Sequence, residues 1–310
     1  MEFSHTPVLA AETIDLLNIR PDGFYVDGTC GGGGHSGLIA ARLKEGLLLG
    51  IDQDPDAIKA AGEHLAPFGD RVKLVHSNFV RLPQILKELD LPAPDGILLD
   101  LGVSSHQLDE GARGFSYHTD APLDMRMSQT GETAAELLER LEEREIAEIL
   151  REYSEEKFAS RIAKFIVRER EISPIDTTGR LAEIVMQAIP TKAARTEKKH
   201  PARRTFQALR IAVNNELGVL KETLESGFEA LSPGGRMAVI TFHSLEDRIT
   251  KQHFAAFCTG CICPPDFPVC VCGKEPRGRL INKKPVTACE TELSENSRSR
   301  TAKLRVIEKL

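Results

Sequence analysis

The fold is decided by one glycine-dense stretch, Asp27-Gly28-Thr29-Cys30-Gly31-Gly32-Gly33-Gly34-His35, which follows the short apolar run Phe24-Tyr25-Val26. A strand that leads through glycines into a helix presents backbone N–H groups and a helix N-terminus to a ligand without obstruction by side chains. This arrangement is typical of nucleotide-binding and cofactor-binding turns. A glycine-rich structural turn that binds no ligand is the plain alternative.

Short apolar runs alternate with helical patterns after this turn. The runs at residues 47–51, 72–75 and 96–99 predict buried strands, and the order resumes with strands over 237–242 and 303–307. A long amphipathic helix is expected over 206–231. Strands that alternate with helices in this way predict an α/β fold, with helices on both faces of a parallel sheet.

The middle of the chain has helical patterns only. Thr133 and Glu136 form a capping box at the start of one helix, and apolar stripes predict two more helices before Pro190. We therefore expect an inserted helical domain over 110–200, acting as a platform for substrate recognition. The domain that holds the sheet then comprises residues 1–109 and 201–310.

Composition and net charge limit the partners and the cellular location that we expect for this chain. The chain has 310 residues, 41% of them hydrophobic, and a formal net charge of -6. A negative net charge removes any global attraction to phosphates, so a nucleic acid would have to bind a local basic surface. Neither a membrane-spanning stretch nor an export signal is apparent, and we expect a cytoplasmic protein. The odd count of seven cysteines argues against a disulfide framework.

Acidic and aromatic residues end the predicted strands beside the glycine turn. Asp52 is placed to accept both hydroxyls of a ribose, Phe79 offers a flat ring to an adenine, and Asp100 lies at the edge of the same crevice. Asp27 would repel a pyrophosphate but suits the amino group of a methionine moiety. These features predict S-adenosylmethionine. A nicotinamide-dependent dehydrogenase is the alternative, disfavoured because the G-x-G-x-x-G spacing is missing.

A series of motifs runs along nearly the whole chain. They are His5-Thr6-Pro7-Val8-Leu9, Gly34-His35-Ser36, Gly50-Ile51-Asp52-Gln53-Asp54-Pro55, Asp100-Leu101-Gly102-Val103-Ser104-Ser105-His106-Gln107-Leu108, Arg113-Gly114-Phe115-Ser116, Pro122-Leu123-Asp124-Met125-Arg126-Met127, Thr205-Phe206-Gln207-Ala208-Leu209-Arg210-Ile211-Ala212-Val213-Asn214 and Phe242-His243-Ser244-Leu245-Glu246-Asp247-Arg248. In these residues the chain resembles the bacterial 16S rRNA (cytosine-N4)-methyltransferase family, known as RsmH or MraW.

The resemblance implies a class I, Rossmann-like S-adenosylmethionine-dependent methyltransferase fold with an inserted all-helical domain. It implies methyl transfer to the N4 amine of a decoding-region cytosine in 16S rRNA of the small ribosomal subunit. The cofactor contacts of the family fall on Gly33, Gly34, His35, Asp52, Phe79, Asp100 and Gln107. The oligomeric state is not implied.

Two carboxylates are candidates to accept a proton from the cytosine amine, whose lone pair is delocalised into the ring. Asp100 is the first and Asp124 the second. Asp100 is as readily a cofactor contact only, and Asp124 an ion pair with Arg126 or a loop cap. Other amino-methyltransferases carry an Asp/Ser/Asn-Pro-Pro-aromatic tetrad where this chain has Asp100-Leu101-Gly102-Val103. Methylation at cytosine C5 would need a cysteine nucleophile, for which Cys30 is poorly placed.

Several residues are candidates for binding RNA. Phe115 and Tyr117 could stack on an unpaired base, or simply pack between domains. The most basic stretch, an edge for phosphates or a solvated loop, contains Lys192, Arg195, Lys198, Lys199, Arg203, Arg204 and Arg210. His243 either lines the substrate pocket or is satisfied by backbone, while Ser244 and Asp247 resemble a capping box. A ribosome-assembly factor without enzymatic activity would keep the basic edge but need no amine acceptor.

Five cysteines cluster late in the chain. Cys258-x-x-Cys261-x-Cys263 and Cys270-x-Cys272, with prolines between them, have the short pairwise spacing of a structural zinc site. Because five thiols exceed the four that a tetrahedral site needs, we expect Cys258, Cys261, Cys270 and Cys272 to bind the zinc. Free thiols and an iron–sulfur cluster are the alternatives.

Overall fold

The computed structural model describes residues 7–196, 199–264, 269 and 271–310, without the side chains of residues 105, 194–196 and 297. The strands are β1 (Phe24–Asp27), β2 (Leu47–Asp52), β3 (Val72–His76), β4 (Gly96–Asp100), β5 (Arg236–Thr241), β6 (Gly278–Leu280) and β7 (Lys303–Lys309). The helices are α1 (Ala10–Leu17), α2 (Gly34–Ala40), α3 (Pro55–Leu65), α4 (Leu82–Glu88), α5 (Ser105–Asp109), α6 (Ala134–Arg140), α7 (Glu143–Ser154), α8 (Ala159–Arg170), α9 (Thr178–Ala188), α10 (Thr191–Thr196), α11 (Arg203–Asn214), α12 (Glu216–Ala230), α13 (Ser244–Cys258) and α14 (Glu290–Glu295).

The chain forms two compact units. The sheet unit comprises the residues up to Gly102 together with Leu217–Leu310, and the helical unit comprises Val103–Glu216. None of the helices in the described part of the chain is long and apolar enough to cross a membrane.

The sheet unit is built on seven strands in the order β3-β2-β1-β4-β5-β7-β6. Strands β1 to β5 run parallel to one another, and β7 is antiparallel to both β5 and β6. Strands β1 and β4 are buried almost throughout. A strand covered on both faces must be apolar along its whole length, which explains uniform runs such as Gly-Ile-Leu-Leu in β4.

The parallel strands bring three acidic residues to one edge of the sheet. Asp27, Asp52 and Asp100 are the last residues of β1, β2 and β4, which are adjacent strands. The carboxyl ends of parallel strands form the crevice where α/β proteins bind their ligands.

The helical unit has a hydrophobic core of its own. Helix α7 packs against α8 and α11, and α8 packs against α9. Ile146, Ile162, Leu181 and Phe206 are among its buried side chains. The apolar stripes at helical spacing predict this core. With the sheet described above, it confirms the expectation of an α/β, class I Rossmann-like fold with an inserted all-helical domain.

The expected helix over 206–231 is wrong, because the chain forms two helices there. Helix α11 ends at Asn214, and Asn215 adopts a left-handed conformation with φ of 47°. Asparagine tolerates this conformation better than most residues, so α11 ends there and α12 begins at Glu216. The chain leaves the helical unit at this point.

The unit boundaries differ from the predicted domain limits of 110 and 200. Helices α5 and α11 both lie in the helical unit. Apolar residues of α11, including Phe206 and Leu209, belong to the helical core. A helix that follows a basic loop does not reveal from its pattern alone which core it covers. The short strand β6 was likewise not predicted, since two of its three residues are exposed.

Candidate functional site

The glycine turn is anchored by Asp27 at the end of β1. Ser36 Oγ donates to Asp27 Oδ2 at 2.7 Å, and the backbone N–H of Thr29 donates to Oδ1 at 3.1 Å. Asp27 is only 1% exposed, and burial raises the pKa of its carboxyl although the Ser36 hydrogen bond opposes the shift. Because its carboxylate is buried as well as hydrogen-bonded to two internal donors, Asp27 holds the turn in shape. The sequence had suggested that it faces the ligand.

Left-handed glycines keep the turn open. Gly31 has φ of 53°, and a Cβ built there would meet only Thr29 O, at 4.0 Å. Gly33 also has a left-handed φ, 89°, at the start of α2. Side chains are therefore excluded by conformation while the space beside Gly31 stays free, as an approaching ligand requires.

Asp52 ends β2 and faces this turn. Its Oδ2 accepts from the N–H of Gly31 at 2.8 Å, and its Oδ1 accepts from the N–H of Asp54 at 2.9 Å. Burial raises the pKa of Asp52 to about 6, even though both hydrogen bonds favour the charged form. A carboxylate has about four acceptor sites, so two remain for donors such as ribose hydroxyls.

Phe79 packs close to the other side of the turn. A Cβ built on Gly28 would lie 2.7 Å from Leu99 Cδ2 and 3.1 Å from Phe79 Cβ. The half-buried Phe79 begins a 3₁₀ turn, at which Asn78 Oδ1 accepts from the N–H of Val80. Gly28 is thus needed for close approach of the turn to the end of β4.

His35 and Asp100 form a polar pair beneath the turn. The ring of His35 is 6% exposed, with Nε2 3.0 Å from Val8 O and Nδ1 3.4 Å from Asp100 Oδ2. Burial lowers the pKa of His35, but the hydrogen bond and charge of Asp100 outweigh it and the net shift is upward. The Val8 carbonyl and the Asp100 carboxylate are both acceptors, so the surroundings of the two ring nitrogens favour the protonated ring of His35.

The second oxygen of Asp100 lacks a donor among the described residues. Asp100 Oδ1 is buried without a hydrogen-bond partner among the described residues, whereas Oδ2 faces His35. The backbone N–H of Asp100 donates to Thr29 Oγ1 at 2.6 Å. An unsatisfied buried carboxylate oxygen is costly and points to a missing donor. A cationic or N–H-bearing ligand would supply one.

Gln107, the remaining predicted cofactor contact, lies in the helical unit. It is buried and closes a capping box at the start of α5, with Ser104 N donating to its Oε1 at 3.0 Å and its own N–H donating to Ser104 Oγ at 3.2 Å. Its contact with a cofactor stays a prediction.

Asp124 is paired with Arg126. Arg126 Nη2 donates to Oδ2 at 2.7 Å and Nε donates to Oδ1 at 2.9 Å, and the Arg126 backbone N–H also donates to Oδ1. Burial would raise the pKa of Asp124, but the hydrogen bonds and charge of Arg126 lower it. The ion pair that competed with a catalytic role is therefore present.

The two candidate stacking residues lie within the helical unit. Phe115 is 7% exposed and belongs to the helical core. Tyr117 is partly buried and stacks on His200 with centroids 4.7 Å apart, while Phe206 meets it edge-on. Phe115 therefore contributes packing, and Tyr117 has the more accessible ring.

The basic stretch divides into exposed and paired residues. Lys192 and Lys199 are exposed. Arg210 donates to both carboxylate oxygens of Glu216, at 2.8 and 2.9 Å, and Arg204 lies 3.8 Å from Glu156. Arg203 is half-buried at the first position of α11. Lys198 and the side chain of Arg195 lie outside the described residues.

The expectation of a capping box at Ser244 and Asp247 is wrong, because the box lies one residue earlier in the chain. His243 is the N-cap of α13, with the extended conformation that caps adopt, and Glu246 Oε2 accepts from the N–H groups of Phe242 and His243. His243 Nε2 lies 3.0 Å from Glu246 Oε1 but makes no hydrogen bond among the described residues. Asp247 instead accepts from Arg305 and Lys303.

The comparisons with known proteins agree with one another. The sequence model of the MraW methylase family matches residues 2–310. The chain belongs to the MraW methylase family. It is 58% identical over 312 residues to the ribosomal RNA small subunit methyltransferase H of Symbiobacterium thermophilum, covering 100% of this chain and 98% of that protein. It is 56% identical over 313 residues to the protein of the same name from Heliobacterium modesticaldum, covering 100% of both.

Membership of the MraW methylase family confirms the resemblance that the sequence motifs suggested. The nicotinamide-dependent dehydrogenase, the alternative for the glycine turn, is therefore wrong. The motif residues His5 and Thr6 lie outside the described residues.

Cysteines of this MraW methylase occur in two settings. Cys30 is buried with its Sγ 3.2 Å from Ser36 Oγ, and burial followed by the charge of Asp27 raises the pKa of its thiol well above the ordinary value. A thiol in that state is not a nucleophile. Late in the chain, the sulfur atoms of Cys261, Cys263 and Cys272 lie within 4.8 Å of one another. Cys270 lies outside the described residues.

Sequence reasoning missed the supports of the turn. Ser36 satisfies the buried Asp27, and Thr29 Oγ1 accepts from the backbone N–H of Asp100. The sequence offered one signal for these hydrogen bonds, the small hydroxyl residues near an acid at a strand end. Such residues are equally common in solvated loops, so the pattern does not reveal which groups meet.

Proposed function

We propose that this chain transfers the methyl group of S-adenosylmethionine to the N4 amine of a decoding-region cytosine in 16S rRNA of the small ribosomal subunit. The relatives reported above carry the name ribosomal RNA small subunit methyltransferase H. The observation that carries the proposal is the strand-end constellation, in which Asp52 keeps free acceptor sites and Asp100 Oδ1 lacks a donor beside an open glycine turn.

The sheet unit suits the methyl donor in both charge and shape. Asp52 accepts the two ribose hydroxyls with its free acceptor sites, and Phe79 lies beside the adenine. The unsatisfied Asp100 Oδ1 is left for a donor of the substrate. Gly31 and Gly33 let the ligand approach the backbone closely. The contacts expected of Gly34, His35 and Gln107 rest on the family resemblance.

The chemistry needs positioning and one proton acceptor. S-adenosylmethionine supplies an electrophilic methyl on a sulfonium, and the reaction breaks the S–CH₃ bond as the N4–CH₃ bond forms. Positive charge develops on N4, which then loses one proton. Asp100 is the favoured carboxylate to stabilise that charge and accept the proton, because its Oδ1 is unpaired among the described residues whereas both oxygens of Asp124 accept from Arg126.

Methylation on nitrogen is also favoured over methylation on C5. The C5 reaction needs a thiolate to attack the ring. Burial raises the pKa of the Cys30 thiol well above its ordinary value, so this residue of the turn does not supply the thiolate.

RNA binding is assigned to the basic residues near the start of α11. Lys192 and Lys199 are exposed, and Arg203 and Arg204 are half-buried nearby in sequence. We expect these residues to bind phosphates, with His243 and the ring of Phe115 or Tyr117 near the target base. Charge reversal at Arg203 and Arg204 should weaken RNA binding and flatten its salt dependence.

The decisive experiment measures both the transfer and its product. The purified chain is incubated with methyl-labelled S-adenosylmethionine and small subunits from cells that lack the gene. The rRNA is then digested, and the labelled nucleoside is identified by mass spectrometry. We expect N4-methylcytidine from one site, and already methylated subunits serve as the control. Label in 5-methylcytidine, in another base or in no base would contradict the proposal.

A further inference from the structure

The loop between α13 and β6 gathers three thiols that the proposed methyl transfer does not use. Cys261, Cys263 and Cys272 have their sulfur atoms within 4.8 Å of one another. The sulfurs of Cys261 and Cys272 are 3.7 Å apart. This distance is far longer than the roughly 2.05 Å of a disulfide, so the two atoms are close but not bonded.

The spacing of the sulfurs suits a single metal ion. Zinc binds thiolates at about 2.3 Å, and a tetrahedral angle then separates neighbouring sulfurs by about 3.8 Å. The observed 3.7 Å between Cys261 and Cys272 matches that geometry. In a [4Fe–4S] cluster each cysteine binds a different iron, which holds the sulfurs farther apart.

Backbone N–H groups point at the sulfurs in a reciprocal pattern. Ile262 N donates to Cys272 Sγ, and Val271 N donates to Cys263 Sγ, both at 3.4 Å. Each donor lies next to a cysteine of its own arm of the loop and donates to a cysteine sulfur on the other arm. Such hydrogen bonds orient the ligands of a metal and stabilise negative charge on sulfur.

Apolar burial does not explain why these arms meet. Ile262 is 65% exposed, Val269 68% and Val271 72%. A loop whose large apolar side chains face solvent gains little from the hydrophobic effect, so another source of free energy must hold the arms together. Metal coordination is the usual source in short cysteine-rich segments.

We propose that Cys261, Cys263 and Cys272 bind one zinc ion and that the metal holds this loop in its folded form. The fourth coordination position goes to a ligand beyond these three. The set differs from that expected from the sequence, because Cys263 is included and Cys258 is not. The Sγ of Cys258 accepts a backbone hydrogen bond from Leu280 of β6 and is half-buried at the end of α13.

The test measures metal content in the full-length chain and in matched variants. Protein purified under reducing conditions without chelators should contain about one zinc per chain by mass spectrometry of the metal. Cys261→Ser, Cys263→Ser and Cys272→Ser should each lose most of it. Cys258→Ser and Cys289→Ser are the controls and should keep it. Circular dichroism must show that each variant is folded.

Cobalt gives a second readout that does not depend on purification history. The Co²⁺-loaded protein should show thiolate charge-transfer absorption and intense tetrahedral ligand-field bands, both diminished in Cys263→Ser. Zinc near zero, iron with labile sulfide, or disulfides among these cysteines in the reduced preparation would each overturn the proposal. So would equal zinc loss in Cys258→Ser or full retention in Cys263→Ser.

Discussion

The acids at the sheet edge and the acid in the helical unit are held in different ways. Asp52 is held by two backbone N–H groups and Asp27 by a hydroxyl and a backbone N–H. Asp124 is held by a guanidinium, which contacts both of its oxygens. A neutral donor leaves the negative charge of a carboxylate in place, whereas an adjacent Arg largely cancels it.

Asp100 lies between these two cases. One of its oxygens faces the ring of His35 and the other has no donor among the described residues. Asp100 and Asp124 are both candidate proton acceptors from the sequence, and the comparison teaches that their hydrogen-bond partners distinguish them. An acid with an unsatisfied oxygen is poised for a ligand, and an acid whose two oxygens both accept from a guanidinium stabilises a loop.

The largest expected effect sharpens this contrast at Asp100. Asp100→Asn keeps the size of the side chain but removes the charge, so the rate of methyl transfer should fall by about 10²- to 10³-fold, as when one electrostatic contact to a transition state is lost. Single-turnover transfer of labelled methyl to small subunits measures it.

Asp124→Asn is the matched comparison for Asp100→Asn. The same loss of one carboxylate charge in the helical unit should leave single-turnover transfer within a few-fold of the unchanged chain. Equal losses in the two variants would remove the distinction that the partners of these acids predict.

The next effect concerns the support of Asp27. Ser36→Ala removes the Oγ donor from a carboxylate that is 1% exposed. Leaving a buried acceptor unsatisfied costs about 1–3 kcal/mol, so the free energy of unfolding should fall by that amount. Urea denaturation measures it, and Ser294→Ala, at an exposed serine of α14, is the control. An unchanged midpoint would mean that Asp27 does not depend on Ser36.

Much of the sheet unit followed from the sequence because its strands are apolar and bounded by glycines. The runs that became β1, β2 and β4 place Asp27, Asp52 and Asp100 at the strand ends, and the glycine turn follows directly. Local pattern was enough there, since parallel strands must present their carboxyl ends at a single edge.

Contacts between distant segments could not be read in this way. The pairing of His35 with Val8, and the cap at His243, depend on where separate segments pass each other. The break at Asn215 depends on which core each helix covers. Spacing in sequence indicated a cysteine cluster but not which described sulfurs meet, because Cys258 faces β6 and Cys263 lies with Cys261 and Cys272.

A smaller effect should appear in the pH dependence of ligand binding at Asp52. The pKa of this carboxyl is raised to about 6, and only the charged form accepts two hydroxyls well. The affinity for S-adenosylhomocysteine should therefore be constant above pH 7 and fall by up to about tenfold per pH unit below 6. Titration calorimetry measures this affinity between about pH 5 and pH 8, the range in which histidines and carboxyl groups with a raised pKa titrate.

The stability of the free protein should change in the opposite direction at Asp52. A folded pKa above the unfolded value of about 3.9 stabilises the fold at low pH, and this contribution is lost as the pH rises through about 6. If instead the affinity for S-adenosylhomocysteine did not change over the pH range of the calorimetry, Asp52 would make no contact with the ribose.

The smallest expected effect is the coupling between Asp124 and Arg126. Their side chains are about one quarter exposed, at 24% and 25%, so solvent screens the pair. A double-mutant cycle with Asp124→Asn and Arg126→Gln should give a coupling free energy of about 0.5–1 kcal/mol at pH 7. The cycle is needed because Arg126 also donates to Gly131 O, a contact that Arg126→Gln removes as well.

The pH dependence of that coupling distinguishes Asp124 from Asp52. Arg126 holds the pKa of Asp124 below its ordinary value, so the stabilisation is present above the unfolded pKa of about 3.9 and is lost as the pH falls through the folded pKa. Asp52 has the opposite sign, since its pKa is raised. A coupling that stayed constant while the pH fell through the range in which Asp124 itself titrates would mean that hydrogen-bond geometry and not charge joins Asp124 to Arg126. The contrast between an acid kept for a ligand and an acid neutralised by its neighbour would then rest on Asp100 alone.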